Sequence, residues 1–240
     1  MEAKLTELVG RLKNAAGNNL KAVVLYGSAV TSEFLAKHSD LNILCIVVHA
    51  GSTDLEQLHD AAEWWIRQGN AAPLVFTLDE LARSADIFAI ELLDMKSRHR
   101  MLYGTDFLDN FEIPLGLHGM QVERELRGGW VKLRQAVLAA PRKKKIYLGL
   151  MLDSLPTFCT LFRHALVALG HPAPATKRDA VMGIASLTGA DPGPFYAILD
   201  FREGKRKRGD FDVEAMLHGY LEFVEVATND VDRRLDALST

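Results

Sequence analysis

Residues 27–28 and 39–42 carry the side chains best suited to chemistry. Gly27-Ser28 ends the apolar run KAVVLYG, and Ser39-Asp40-Leu41-Asn42 leads into the next, LNILCIVVH, with eleven residues between Ser28 and Asp40. A strand that ends in Gly-Ser and turns into a helix offers backbone N–H groups and a hydroxyl at the positive helix end, a place for an anion. Gly27 lets the backbone come close to a ligand, and Ser28 can donate to a phosphate oxygen. Alternate side chains of a strand share a face, so Asp40 and Asn42 are expected to project together while Leu41 and Ile43 turn into the core. Two adjacent oxygen ligands suit Mg²⁺, which takes carboxylate, water and phosphate oxygens. Taken singly these features are commonplace: Gly-Ser occurs in tight turns, and Asp often starts a strand. Their order and spacing make the signal.

That order resembles the nucleotidyltransferase superfamily, which includes DNA polymerase beta, the aminoglycoside nucleotidyltransferases and the minimal nucleotidyltransferases. Its signature is Gly-Ser, about ten residues, then Asp-x-Asp, with a third carboxylate on a later strand. The likeness covers residues 20–48 and extends loosely to Gly104 in MLYG. It implies Mg²⁺-dependent transfer of a nucleoside monophosphate from an NTP such as ATP to an acceptor hydroxyl, by two-metal in-line displacement. The acceptor is an unidentified small molecule or protein. Carried over by position, Gly27 and Ser28 match the phosphate-contacting pair, Asp40 the first metal carboxylate, and Asn42 the second carboxylate position.

Asn42 keeps one oxygen ligand but brings no negative charge. The third strand, read at PLVFT (73–77), holds no acid; Asp79 and Glu80 follow it, and Glu91 and Asp94 come later, where a helix-start or helix-face role is the plainer reading. Charge neutralisation dominates phosphoryl-type transfer, so the alternative is a catalytically degenerate module that binds a nucleotide or a partner. The remaining candidates read as structural. The eight histidines show no metal-site spacing, and the basic runs RKKK (142–145) and KRKR (205–208) read as solvated loops. Arg124, Arg127 and Arg134 fall on an alternating-charge helix, either as an exposed face or lining an inter-domain cleft. Helical ribonucleases of the HEPN type share an Arg, four to six residues, His pattern, which Arg163, His164 and His171 do not reproduce.

The elements that must position these residues follow from hydrophobic period. Leu5, Leu8, Val9 and Leu12 mark a helix over 2–16. KAVVLYG, LNILCIVVH, PLVFT and RHRMLYG read as strands, with helices over 29–37, 54–68 and 78–96. After Asp109 the pattern is all helical: a stretch from Pro114 to about Ala140, then 144–169 with Pro156 inside, 177–187, 192–202 and 212–237. The expected fold class is α+β: a small mixed sheet flanked by helices over residues 1–110, followed by an all-α helical bundle over 111–240, with a ligand cleft between the two domains.

Bulk properties agree with an ordinary globular chain. Of 240 residues, 25% are charged and 48% hydrophobic, which suffices for one large or two modest cores. The net charge of −3 is uneven: residues 1–112 carry 10 basic and 16 acidic side chains, residues 113–240 carry 18 and 15. Neither half is basic enough to call for nucleic acid. Cys45 and Cys159 suggest neither a disulfide framework nor a zinc site, so a reducing cytoplasm is expected. No apolar run reaches the ~18 residues of a membrane span.

Overall fold

Helix α1 (Glu2–Ala16) places Leu5, Leu8 and Leu12 on one buried stripe, as its apolar period requires. Strands β1 (Leu20–Tyr26) and β2 (Asn42–Val47) are nearly continuous apolar runs and form the middle of a sheet buried on both faces. Together with β3 (Leu74–Thr77) and β4 (His99–Tyr103) they make a mixed sheet ordered β3-β2-β1-β4. Strand β1 is antiparallel to β2 and β4, whereas β2 and β3 are parallel and joined through helix α2 (Ser52–Arg67). The computed structural model describes residues 1–30 and 41–239.

Side-chain alternation divides the core of this region into two layers. Val23, Leu25, Ile43, Cys45 and Val47 face α1 and α2, where Trp65 is wholly enclosed. Ala22, Val24, Leu44 and Ile46 face the opposite side and meet Leu81 of helix α3 (Leu78–Arg83) and Leu92 and Met95 of helix α4 (Ala89–Ser97). The helix expected over 78–96 is therefore two. Ser84 Oγ donates to the Glu80 carbonyl at 2.6 Å, and the chain leaves the helix there before α4 begins. Cys45 and Cys159 are free and buried.

Contacts divide the chain into two units, Met1–Leu115 and Gly116–Thr240. The second is all helical among its described residues: α5 (His118–Ala139), α6 (Lys144–Ala168), α7 (Lys177–Thr188), α8 (Gly193–Arg202) and α9 (Val213–Ser239). Helix α5 starts at His118 rather than at Pro114; Gly116 lies in the non-helical lead-in, where a helix would have to absorb its conformational freedom. Helix α6 is central, and Pro156 sits within it. Phe158 and Phe162 of α6, Phe195 of α8, and Tyr220 and Phe223 of α9 form a connected aromatic core. The Phe195 and Tyr220 rings stack with centroids 4.2 Å apart, and the Tyr220 hydroxyl reaches Ser154 Oγ at 3.0 Å. A Cβ on Gly129 of α5 would sit in ordinary contact with the Phe158 ring, 3.4 Å away. No described helix is long and apolar enough to cross a membrane.

Candidate functional site

Of the site residues expected from the sequence, Gly27, Ser28 and Asn42 are described, and they lie at one end of the sheet. Tyr26, the last residue of β1, lies opposite Asn42, the first of β2, and opposite His99, the first of β4. Cross-strand partners share a face, so His99, Tyr26 and Asn42 form a polar row across three strands. Leu44 and Ile46 continue the same face inward. Leu41 and Ile43 point into the other layer, as alternation requires.

Gly27 follows Tyr26 with φ +81°, in the left-handed region that a side chain disfavours. Its N–H donates to the Arg98 carbonyl at 2.9 Å, which ties the end of β1 to the start of β4. A Cβ on Gly27 would lie 3.3 Å from the Asn42 amide nitrogen. Residues 27 and 42 are thus packed against each other. Gly27–Val30 form a short 3-10 turn that contains the half-buried Ser28. Asp40, with most of the helix expected over 29–37, lies outside the described residues.

Carboxylates are sparse on the described part of this face. Strand β3 contributes Leu74, Val75 and Phe76, none ionisable. Glu80 is committed to capping α3: its carboxylate accepts from the Thr77 N–H at 2.9 Å and from the Thr77 hydroxyl at 3.0 Å, and the backbone bond foremost holds its pKa down. Glu91, in the first turn of α4, is different. Burial foremost raises the Tyr26 phenol above its usual pKa, and the Glu91 charge raises it further. The sequence flagged Glu91 only as a later acid on a helix.

Other sequence candidates have ordinary partners. Arg127 pairs with Glu123 at 3.1 Å and with Asp232, and Arg134 lies over the Trp130 ring at 5.1 Å. In the second basic run, Lys205 pairs with Glu203 at 2.5 Å and Arg206 with Asp200 at 3.5 Å. His164 is buried against His118, with Nδ1 and Nε2 3.0 Å apart. A surface cavity of about 470 Å³, lined by Ala50, Leu55, Val75, Phe76, Glu80 and Arg83 among others, contains none of the expected site residues.

No protein-family model matches the sequence, and no curated protein matches it. Among solved structures, spectinomycin adenyltransferase AAD(9) from Enterococcus faecialis, with ATP and spectinomycin, is similar over 94% of this chain and 99% of its own. The TM-score is 0.55 and the identity 13%. The chain has a nucleotidyltransferase-like fold. The tri-AMPylated Shewanella oneidensis HEPN toxin in complex with MNT antitoxin aligns over 57% of this chain and 98% of its own, at 14% identity and a TM-score of 0.30, too distant to add to this. Within the nucleotidyltransferase-like fold, the mixed sheet and the helical unit that follows it agree with the fold class expected from the sequence.

Proposed function

We propose that the protein binds an NTP with Mg²⁺ through Gly27, Ser28, Asp40 and Asn42, and transfers the nucleoside monophosphate to a small-molecule or protein acceptor. The observation that supports this reading is the packing of the positive-φ Gly27 turn against Asn42. Asp40 would hold Mg²⁺ through its carboxylate and Asn42 through its amide oxygen. The turn at Gly27-Ser28 would receive the phosphates. With one of the three motif carboxylates kept and two lost, transfer is slow, because each missing negative charge weakens metal binding and stabilisation of the leaving pyrophosphate. A soluble, cytoplasmic setting suits NTP as the donor.

The uncharged set Asn42, Leu74, Val75 and Phe76 favours a second reading, nucleotide binding without turnover. Pyrophosphate release from each Mg-NTP, with calorimetric NTP binding measured in parallel, separates the two. Release that disappears in Asp40→Ala and increases in Asn42→Asp supports transfer. Binding without release supports the second reading, and neither binding nor release refutes both.

A further inference from the structure

We propose that His99, Asp106 and Asp109 form a binding site for a first-row divalent transition-metal ion of the Zn²⁺ class. The three residues lie at the start of β4 and in the segment after it, each offering one ligand atom, all within 4.8 Å of one another. The His99 side chain is only 10% exposed. Its Nδ1 lies 3.0 Å from the Lys96 carbonyl, a partner that can only accept, so Nδ1 carries a proton. That leaves Nε2 directed at Asp106 Oδ2, 2.8 Å away. An imidazole with Nδ1 bonded to a backbone carbonyl and Nε2 facing carboxylates is the arrangement that metal-ligating histidines adopt. With Nδ1–H fixed, Nε2 and the carboxylate oxygen would oppose each other through lone pairs unless a cation sits between them. The cation is a proton or a metal ion.

Charge balance separates this cluster from the other acidic group in the chain. Glu123, Asp232 and Asp236 also come together, but Arg127 pairs with two of them. Among the described residues no Lys or Arg pairs with Asp106 or Asp109, so a protonated His99 leaves one negative charge unmatched. Asp106 is held in place by a bond from the Leu108 N–H to its Oδ1 at 3.0 Å, which leaves Oδ2 for the ion. One imidazole nitrogen and two carboxylate oxygens suit Zn²⁺, Mn²⁺ or Co²⁺, and suit Mg²⁺ poorly. Binding exchanges the Nε2 proton for the metal: imidazolium plus M²⁺ gives metal-bound neutral imidazole and a released H⁺.

The test titrates the full chain with Zn²⁺ by calorimetry and with Co²⁺ by visible absorption. The expected result is one saturable site, with proton release and weaker binding as pH falls. Asp109→Asn spares the His99–Asp106 bond and hence the fold, yet should lower affinity more than about tenfold. His99→Gln should abolish the Co²⁺ spectrum. Asp40→Ala should leave both signals intact, which keeps this site distinct from the proposed nucleotide site. Absence of saturable binding, unchanged binding in Asp109→Asn or His99→Gln, or loss of binding in Asp40→Ala would each overturn the proposal.

Discussion

The buried pair His118–His164 makes the helical unit sensitive to acid, and the size of the effect can be worked out. Each ring is 2% exposed, and His118 Nε2 lies 3.0 Å from His164 Nδ1. A single proton bridges these nitrogens, donated by one ring and accepted by the other. Burial foremost, then the neighbouring His164, lowers the His118 pKa from 6.5 to about 4. A histidine lowered in the folded state binds fewer protons than in the unfolded state. Its contribution is therefore complete above the unfolded value of 6.5 and is lost as pH falls through 6.5 toward about 4. The limiting loss is ~3.4 kcal/mol, from about 2.5 pKa units at ~1.36 kcal/mol each. Between pH 7 and pH 5 the loss is about 1.8 kcal/mol. Urea denaturation followed by far-ultraviolet circular dichroism at both pH values measures it; with a slope of ~2 kcal/mol/M the midpoint should fall by about 0.9 M. Other groups titrate over the same range, so the decisive quantity is the difference from His118→Gln. That variant keeps a polar side chain but has nothing to titrate, and its drop between the two pH values should be smaller by about 1.8 kcal/mol, whatever its absolute stability. Equal drops in the two proteins would refute the reasoning.

Three further outcomes test the first unit. Gly104 has φ +85°, and a Cβ there would lie 2.2 Å from the Lys21 carbonyl oxygen and 3.0 Å from the Ala22 Cα, both backbone atoms that cannot swing away. Gly104→Ala should cost about 2–4 kcal/mol, measured by chemical denaturation, and a loss below 1 kcal/mol (roughly the scale of an unstrained Gly→Ala change) would contradict this geometry. Trp65→Ala empties the centre of the α1–α2 layer and should cost about 3–5 kcal/mol in the same assay. Glu91→Gln should lower the Tyr26 phenol pKa while leaving it above the usual value, because burial is the larger cause. Tyrosine ring resonances followed against pH report this, and an unmoved Tyr26 would place Glu91 too far away to serve the site.

The fold was legible wherever one physical rule dominated. β1 and β2 are apolar on both faces and rich in β-branched residues, so their strand character needed no context. The helices of the second unit announced themselves by period, and α6 tolerated Pro156 because burial on several sides outweighs one lost hydrogen bond. The break within 78–96 was not legible. No proline marks it, and the serine that takes a backbone carbonyl there could equally have sat in a continuous helix. The late start of α5 has a similar origin: Pro114 is compatible with a first helical turn, and Gly116 weighs against it by only about 1 kcal/mol.

The site was legible in proportion to how local it is. Gly27 and Asn42 lie on either side of a single strand connection, so their spacing in the chain foretold their contact across it. His99 reaches the same row through the pairing of β4 with β1, which leaves no fixed spacing. The same holds for His99, Asp106 and Asp109, brought together by a strand start and the segment that follows it. What the sequence did convey is the charge deficit. Asn42 is neutral by composition, and β3 carries no acid in any register. Among the described acids, Asp106 is bonded to His99 of the row at 2.8 Å, and the Glu91 charge raises the Tyr26 pKa from a helix rather than a strand. If Glu91 supplies the missing charge, Glu91→Gln should weaken Mg-NTP binding in proportion to its effect on the Tyr26 phenol. If the two effects separate, Glu91 acts on Tyr26 alone and the site works with the single carboxylate of Asp40.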